Sequence, residues 1–311
     1  MPTGGYAWWY VDAISDDGRH GLTLIAFVGS VFSPYYAWAR RRGGGEPAHH
    51  CALNVALYGA PRRWAMTERG AAALTRDGDH ICIGPSTLTW DGTELVATVE
   101  ERGAPIPHRL RGRIALRPEN VQTRVHTLDG AGRHRWRPIA PRARVEVSFE
   151  RPALAWRGHA YFDTNWGDRP LEADFLSWNW SRATLPNGDA VVLYDVDRIG
   201  ASAPARLAIR YGAQGGDCDI DPPPAVTLPP TRWRLRGSVG ADAGNAPAIA
   251  QRLEDAPFYA RSVVETRLLG TELLAVHETL SLTRFDTLWV QAMLPFRMPR
   301  IPLMPRIPRV S

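Results

Sequence analysis

The stretch Arg144–Glu150, with the sequence RVEVSFE, alternates polar and apolar residues with a period of two. Such alternation is typical of a β-strand that has one face in a protein core and the other in water. Leu95–Glu100 and Ser262–Leu269 also have the pattern of strands, and Leu22–Phe32 is a more continuous apolar run, as in strands buried on both faces. These segments predict a core that is built from strands.

Turn signals separate the predicted strands. Glycine and proline account for 28 and 26 of the 311 residues, which favours many turns over long helices. Helical periodicity is weak, and Ala60–Arg76 is the one segment that we expect to hold a helix. We therefore predict an all-β fold of sandwich or barrel type with few short helices. Asx-Gly pairs, which favour tight hairpin turns, begin at Asp17, Asp77, Asp91, Asp129 and Asn187.

A short repeat and one proline suggest how the chain is divided. The sequence GTEL at 92–95 recurs at 270–273, and we expect a hairpin turn followed by a strand at both places. The strand that contains Arg144–Glu150 ends at Pro152. We predict two related β-domains at 1–152 and 153–296, followed by a Pro/Arg-rich tail at 297–311.

Charge and cysteine content argue against several classes of protein. The formal net charge is +5 and all 37 basic residues are arginine, but no nucleic-acid-binding motif is present, so nucleic acid is not an expected partner. Cys51, Cys82 and Cys218 do not make a disulfide framework, which favours a reducing compartment. The N-terminus lacks a signal-peptide pattern and the longest apolar run is too short to span a bilayer, so we expect a cytoplasmic chain.

The residues Met293–Ser311 differ in composition from the rest of the chain. We expect their five prolines to prevent a regular helix or a central strand. Two interpretations stay open: a tail without regular structure, or an interfacial segment attracted to anionic lipid. Bulky apolar residues alternate with four arginines and no acidic residue, the arginines being Arg297, Arg300, Arg306 and Arg309.

Sequence templates for common active sites are absent. The chain has no GxSxG nucleophile elbow, no P-loop, no HExxH motif and no GxGxxG motif after a strand. His49, His50 and Cys51 are adjacent, but neighbouring residues of a strand point to opposite faces, so at most two of them could share a metal ion. We therefore expect no metal site.

The segment Trp156–Trp180 is rich in groups that could form a site. It holds four of the twelve tryptophans, and an extended backbone would place Tyr161 and Asp163 on one face. A carboxyl group beside aromatic rings is a setting in which desolvation raises its pKa and keeps it protonated. The alternative is a turn at Asp163–Gly167 in which Asp163 or Asn165 bonds to local backbone. His134 and Trp136 form a second pair on one face of a strand.

Longer motifs point to a family. The run Trp9–Tyr36 resembles the acyclic carotenoid 1,2-hydratases, which are also called hydroxyneurosporene synthases. The resemblance covers nearly the whole chain, up to about Phe296. It includes motifs at His50–Gly59, Thr67–Arg69, Ile83–Ser86, Tyr161–Gly167, Leu253–Arg261 and His277–Glu278.

The resemblance implies a fold, a reaction and a site. The wider superfamily has two lipocalin-like β-barrels in tandem, and the enzymes add water to the terminal C1=C2 double bond of acyclic carotenes such as neurosporene and lycopene. Such enzymes need no redox cofactor, so we expect none. The proposed catalytic residues of the family correspond to His134, Trp136, Tyr161 and Asp163. We further expect the substrate to contact Trp166, Trp178, Trp180, Phe258 and Tyr259.

Chemistry suggests how these residues would act. Asp163 would protonate C2 and leave a tertiary cation at C1, which the faces of Trp136 and Tyr161 would stabilise. His134 would orient Asp163, or hold the attacking water and take its second proton. Because carotenes dissolve in bilayers, we expect peripheral contact with the inner or photosynthetic membrane. Two alternatives are a lipocalin-like carotenoid carrier without catalytic activity and an acid-initiated terpenoid cyclase or isomerase.

Overall fold

The computed structural model describes residues 1–201 and 203–301, and strands account for more than half of the chain. The all-β prediction is confirmed. The first strands are β1 Tyr6–Ser15, β2 Gly21–Val28, β3 Cys51–Tyr58, β4 Arg63–Arg69, β5 Leu74–Arg76, β6 His80–Ile83, β7 Ser86–Trp90, β8 Leu95–Arg102, β9 Arg109–Pro118, β10 His126–Thr127 and β11 His134–Arg151. The later strands are β12 Leu154–Gly167, β13 Phe175–Thr184, β14 Ala190–Arg198, β15 Ala205–Tyr211, β16 Asp217–Asp219, β17 Ala225–Thr227, β18 Ser238–Gly240, β19 Ala248–Asp255, β20 Tyr259–Leu268 and β21 Thr271–Ser281.

The helices are short and do not lie where the sequence predicts one. They are α1 Pro34–Arg41, α2 Leu282–Phe285 and α3 Leu288–Arg297. The expectation that proline excludes a helix from Met293 onward is wrong for Met293–Arg297, because α3 continues through Pro295. The expected helix at Ala60–Arg76 is wrong, because Arg63–Arg69 pairs with β3 along its whole length as β4. Backbone pairing in a sheet outweighs the weak preference of these residues for a helix. The helix α1 begins where Ser33 accepts a hydrogen bond from the Tyr36 amide, with Pro34 in its first turn.

The Asx-Gly pairs form the predicted hairpins. All five lie between consecutive antiparallel strands, namely β1–β2, β5–β6, β7–β8, β10–β11 and β13–β14. Gly18, Gly92 and Gly188 have φ values of 69°, 97° and 87°, a region that glycine enters at little cost. The two GTEL copies lie in the β7–β8 and β20–β21 hairpins. Local turn chemistry therefore accounts for much of the strand order.

The chain divides into two compact units, each made of separated segments. Unit 1 comprises 1–119, 143–169 and 293–311, and unit 2 comprises 120–142 and 170–292. The strand β11 begins in unit 2 and ends in unit 1. The domain boundary at Pro152 and the separate tail from 297 stay predictions.

The sheet of unit 1 is nearly closed into a barrel. Its antiparallel order is β4-β3-β2-β1-β12-β11-β9-β8-β7-β6-β5. Arg69 on β4 donates to Glu101 on β8 across 2.8 Å, and Ser86 donates to the same carboxylate across 2.9 Å. Burial raises the pKa of Glu101, while Arg69 and Ser86 act in the opposite direction. This buried ion pair links β4 to β8, two strands that are not hydrogen-bonded neighbours.

The main sheet of unit 2 is also antiparallel. Its order is β16-β15-β14-β13-β21-β20-β19, and β17 pairs with β18 separately. Arg261 on β20 and Glu278 on β21 lie opposite each other and form a buried ion pair. One cluster of its core consists of Ala183, Leu185, Val191, Leu193, Ala208, Leu268 and Ala275.

Candidate active site

Two strands of unit 1, β1 and β12, carry a row of buried polar and aromatic side chains. The pairing of β12 with β1 is regular, so Tyr161, Asp163 and Asn165 point to one face. Tyr10 lies opposite Asp163 and Trp8 lies opposite Asn165, and opposed residues of antiparallel strands point the same way. We call the surface formed by these five residues the acid face.

The acid face holds a hydrogen-bonded carboxyl group out of water. The Tyr161 hydroxyl donates to Oδ2 of Asp163 across 2.8 Å, and Nδ2 of Asn165 lies 3.5 Å from the other oxygen, Oδ1. Tyr161 is 0% exposed, Asp163 4% and Asn165 3%. Since a buried carboxyl group is easier to keep uncharged than an exposed one, this arrangement suits a proton donor.

Aromatic rings surround the carboxyl group on the acid face. The rings of Tyr10 and Tyr161 meet edge to face with their centroids 6.2 Å apart. The ring of Trp8 stacks on that of Tyr6 at 5.0 Å. Such π faces attract cations, and the attraction is strongest where water is excluded. The acid face therefore combines a buried carboxyl group with aromatic groups that favour positive charge.

Trp166, which we expect to contact substrate, does not share the face of β12 that carries Asp163. Trp166 is three positions beyond Asp163 along a regular strand, so it points to the opposite face of β12. Its partner across the ladder is Ala7, which lies on that other face too. Trp166 is therefore not part of the acid face, and its contact with substrate stays a prediction.

His134 and Trp136 lie together in unit 2, on the first residues of β11. Both side chains are fully buried. The His134 ring bonds through Nε2 to Oδ2 of Asp174 at 2.8 Å and lies 4.5 Å from the ring of Phe175. The His134 amide donates to Asp129 across 2.8 Å. A carboxylate partner fixes the tautomer and the orientation of a histidine ring.

Trp136 lies in an aromatic cluster of unit 2. Its ring meets Tyr194 edge to face at 5.3 Å, and Tyr194 meets Trp178 in the same way at 6.3 Å. His126 lies opposite Trp136 in the β10–β11 pair, with the two rings 5.2 Å apart. Burial, and to a lesser degree the charge of Arg124, lower the pKa of His126, which keeps its ring neutral at pH 7.

The other predicted substrate contacts also lie in unit 2. Trp180 shares a face of β13 with Trp178 and lies opposite Tyr194 in the neighbouring strand β14. The ring of Phe258 packs on Phe285 of α2 at 5.3 Å, as a core residue does. Tyr259 is half-buried at the start of β20. Contact between these three residues and substrate stays a prediction.

Comparison with known proteins places the chain in a family. The sequence profile described as Carotenoid hydratase CrtC matches residues 24–304, a range that includes every predicted site residue. The chain belongs to the CrtC carotenoid hydratase family. The resemblance in its sequence motifs is thereby confirmed.

Two relatives of this CrtC chain extend over almost all of it. An acyclic carotenoid 1,2-hydratase from Thiocapsa roseopersicina is 57% identical over 301 residues, which are 96% of this chain and 74% of that protein. One from Rubrivivax gelatinosus is 50% identical over 303 residues, with the same two shares. Among solved structures, kievitone hydratase from Nectria haematococca has a TM-score of 0.55 at 9% identity over 92% of each chain, a similarity of fold alone.

Sequence reasoning missed several residues of the CrtC chain that lie beside the predicted ones. Asn165 continues the alternation of Tyr161 and Asp163, so extending that pattern by one step would have found it. Tyr10 lies more than 150 residues from Asp163, and Asp174 lies 40 residues from His134, so only the folded chain brings them together. No sequence signal marked His126, because β10 has only two residues.

The adjacent histidines His49 and His50 have structural contacts. His50 bonds to Glu68 across 2.8 Å, and Arg300 bonds to the same carboxylate and to the backbone oxygen of His49. Arg297 lies over the ring of Trp64 at 4.3 Å. Within 1–201 and 203–301, no group of three or more His, Cys, Asp or Glu residues is placed to hold a metal ion. Arg306 and Arg309 lie outside the described residues.

Proposed function

We propose that the chain adds water to the terminal C1=C2 double bond of acyclic carotenes such as neurosporene, lycopene and their 1-hydroxy derivatives, with Asp163 as the proton donor. Family membership supports hydration of a carotenoid. The single observation that supports the choice of acid is the hydrogen bond from Tyr161 to the buried Asp163 carboxyl group. Asp12 lies opposite Tyr161 and is also buried on this face, but Asp163 is the carboxyl group to which Tyr161 donates.

The reaction begins with a difficult proton transfer. An isolated trisubstituted alkene is a weak base, so the acid must be neutral when substrate binds and must lose its proton easily in the transition state. Asp163 gives its proton to C2, the π electrons form the new C–H bond, and C1 becomes a tertiary cation. Water then forms the C1–O bond and loses a proton to a base.

Asp163 must be neutral before the reaction and must lose its proton easily in the transition state, and the hydrogen bond from Tyr161 serves the second requirement. Burial favours the neutral acid before the reaction, but burial alone would also make the acid weak. The hydroxyl of Tyr161 donates to Oδ2, and this bond strengthens as negative charge develops on the carboxylate. Donors already aimed at a developing charge lower the barrier without reorganising.

Aromatic rings would stabilise the carbocation, as the Tyr161 hydroxyl would stabilise the carboxylate. The rings of Tyr10 and Tyr161 line the acid face, and a desolvated ring contributes about 0.5–2 kcal/mol toward a cation. His134 and Trp136 enter the proposal through the resemblance to the family. The buried bond to Asp174 would hold the His134 ring ready to accept the proton that water releases.

The proposed reaction has no need of a redox cofactor. Adding H to C2 and OH to C1 raises the oxidation level of one carbon as it lowers that of the other. The proton comes from a side chain and the oxygen from water. A hydro-lyase that works in this way needs only its own acid, its own base and a site that excludes bulk water.

We also propose that the chain takes its substrate from an anionic membrane surface. No helix in the described part of the chain is long and apolar enough to span a bilayer. The helix α3, however, exposes large apolar side chains: Leu288 is 78% exposed and Phe296 72%, with Trp289 and Met293 between them. Interfacial helices bind bilayers through such residues, and arginines nearby favour anionic headgroups.

Sedimentation with liposomes tests the membrane contact. Leu288→Gln combined with Phe296→Gln should reduce binding to anionic vesicles, and truncation after Pro299 should show how much the tail adds. Exposed Ile106, in the β8–β9 hairpin, provides the matched control variant Ile106→Gln. Unchanged sedimentation of the double variant would exclude α3 as the membrane contact.

Incubation with lycopene in ¹⁸O-labelled water tests the reaction itself. A hydratase product gains the label, whereas a cyclised or isomerised product does not. Asp163→Asn should abolish the labelled product while the protein stays folded by circular dichroism. A carotenoid carrier would bind lycopene and form no product in either protein. Full activity of the Asp163→Asn variant would exclude Asp163 as the acid.

A further inference from the structure

The side-chain amide of Asn165 is buried beside the Asp163 carboxyl group with half of its hydrogen-bonding capacity unused. Its Nδ2 lies 3.5 Å from Oδ1 of Asp163. Its own Oδ1 is buried and accepts no hydrogen bond from the described residues. Leaving a buried acceptor unpaired lowers the stability of the fold, because the acceptor has lost its hydrogen bonds to water. An acceptor kept in such a place indicates a ligand that donates to it.

We propose that Oδ1 of Asn165 binds the water molecule that captures the carbocation. The proposal rests on the proposed function, because it requires Asp163 to be the acid. Asn165 belongs to the acid face, as do Tyr161 and Asp163, and it is equally buried. Other acceptors lie on this face, Asp12 among them, but Asn165 is the residue whose amide lies beside Oδ1 of Asp163, so its oxygen is best placed to hold water near that oxygen.

The two oxygens of the Asp163 carboxyl group have different neighbours, which indicates where the alkene and the water molecule would lie. Oδ2 accepts the hydrogen bond from Tyr161, so we assign the transferable proton to Oδ1, the oxygen beside Asn165. C2 of the alkene would lie at this oxygen, and C1 is bonded to C2. A water molecule on Asn165 would therefore lie close to C1 when the cation forms.

The atoms and electrons of the step balance within these groups. Oδ1 of Asp163 gives H⁺ to C2, and the π electrons form the C–H bond. A lone pair of the bound water forms the C1–O bond. The resulting oxonium ion then loses one proton to the Asp163 carboxylate or to another base, which leaves a tertiary alcohol. Asn165 only accepts a hydrogen bond and is unchanged.

Water capture competes with loss of a proton from the cation. Without a bound water molecule, the cation loses a proton from a terminal methyl group and gives a shifted alkene. Asn165→Leu has nearly the shape of asparagine but no acceptor. In D₂O the variant should still place deuterium at C2, since Asp163 is intact. The ratio of hydrated to shifted product should fall by about 100-fold, as when one preorganised polar group is lost from an active site.

Two further variants separate this role from damage to the strand. Asn165→Asp keeps oxygen acceptors at the same position, and its product ratio should stay within about threefold of wild type, well inside the effect of losing a polar group. Thr164→Val is the matched control, because Thr164 is a buried neighbour that points to the other face and bonds to the Trp8 carbonyl. It should leave the product ratio unchanged. If Asn165→Leu does not fold, Asn165→Ser, with a shorter acceptor, must lower the ratio.

The outcomes distinguish this inference from the proposed function. If Asn165→Leu lowers hydration and deuterium incorporation in parallel, with an unchanged product ratio, Asn165 supports the structure and the inference is wrong. If Asp163→Asn still incorporates deuterium at C2, the acid is another group and the proposed function fails, whatever the Asn165 variants show. Loss of deuterium in Asp163→Asn with a changed ratio in Asn165→Leu supports both.

Discussion

The Tyr161 hydroxyl donates a 2.8 Å hydrogen bond to Asp163, two residues further along the same strand. A regular strand places such residues side by side on one face, so this contact needs no long-range assembly. What the fold adds is burial of both groups and the approach of Tyr10 from β1. A local contact thus becomes a candidate acid site through its surroundings.

Tyr161→Phe tests whether this bond acts in the transition state. The variant keeps the aromatic ring but loses the donor to Oδ2, so kcat should fall by about 100-fold while KM for lycopene changes little. Steady-state kinetics with lycopene in detergent micelles measure both constants. A wild-type kcat, or a rise in KM alone, would show that the hydroxyl contributes only to binding or packing.

Asp174 should act through His134. Removing the carboxylate with Asp174→Ala frees the His134 ring to rotate, and kcat should fall by about tenfold or more, as for other partners that orient a histidine. The double variant His134→Ala with Asp174→Ala should be no slower than His134→Ala alone. Additive losses in this double-mutant cycle would mean that the two residues act independently. The exposed Asp286→Ala provides a control for loss of an acidic residue.

Much of the strand pattern could be predicted because it is encoded locally. The alternation at Arg144–Glu150 follows directly from the pleat of a strand, and Asx-Gly pairs favour hairpins through glycine's access to positive φ. The predicted helix at Ala60–Arg76 failed because pairing between β3 and β4 is a tertiary effect. Helix propensity is a sum over individual residues, and it does not include the hydrogen bonds that a neighbouring strand provides.

The candidate site was predictable only in part, for a similar reason. Tyr161 and Asp163 could be paired from their spacing, and His134 and Trp136 likewise. Trp166 could not be excluded from the acid face without knowing that the strand stays regular through it. The hydrogen bond between His134 and Asp174 joins the start of β11 to the residue before β13, and no sequence pattern near either residue indicates it.

The ion pair between Arg69 and Glu101 should contribute strongly to the stability of the nearly closed sheet. Glu101→Ala leaves the buried Arg69 charge uncompensated, which typically costs about 3–5 kcal/mol of unfolding free energy. Replacing both residues, as Arg69→Met with Glu101→Leu, should recover most of the loss, because apolar groups of similar size need no charged partner. Urea denaturation followed by tryptophan fluorescence measures both. A double variant less stable than Glu101→Ala would show that Arg69 contributes independently of Glu101.

His277 should make the stability of the fold depend on pH. It is fully buried, and its Nε2 lies 2.9 Å from the Ser238 carbonyl oxygen, to which a neutral ring donates. Burial lowers the pKa of His277 from 6.5 to about 4; the hydrogen bond to Ser238 acts in the opposite direction, and Arg252 lowers the pKa slightly further.

The sign of the effect follows from the protons bound in each state. Between pH 6.5 and pH 4 the unfolded chain binds a proton at this histidine and the folded chain does not, so stability falls as the pH falls. The loss between pH 7 and pH 5 should be about 2 kcal/mol from this residue. Above pH 7 the residue should contribute no pH dependence.

His277→Asn removes the titrating group and keeps a side chain able to donate toward Ser238. Its unfolding free energy should therefore drop by about 2 kcal/mol less than that of wild type between pH 7 and pH 5. Urea titrations at the two pH values, with both proteins in the same buffer, measure the drop in unfolding free energy of each protein. In the difference between the two drops, the contributions of the titrating groups that both proteins share cancel. An equal drop in both proteins would contradict a depressed His277 pKa, because the substitution would then have removed no difference in proton binding between the folded and unfolded states.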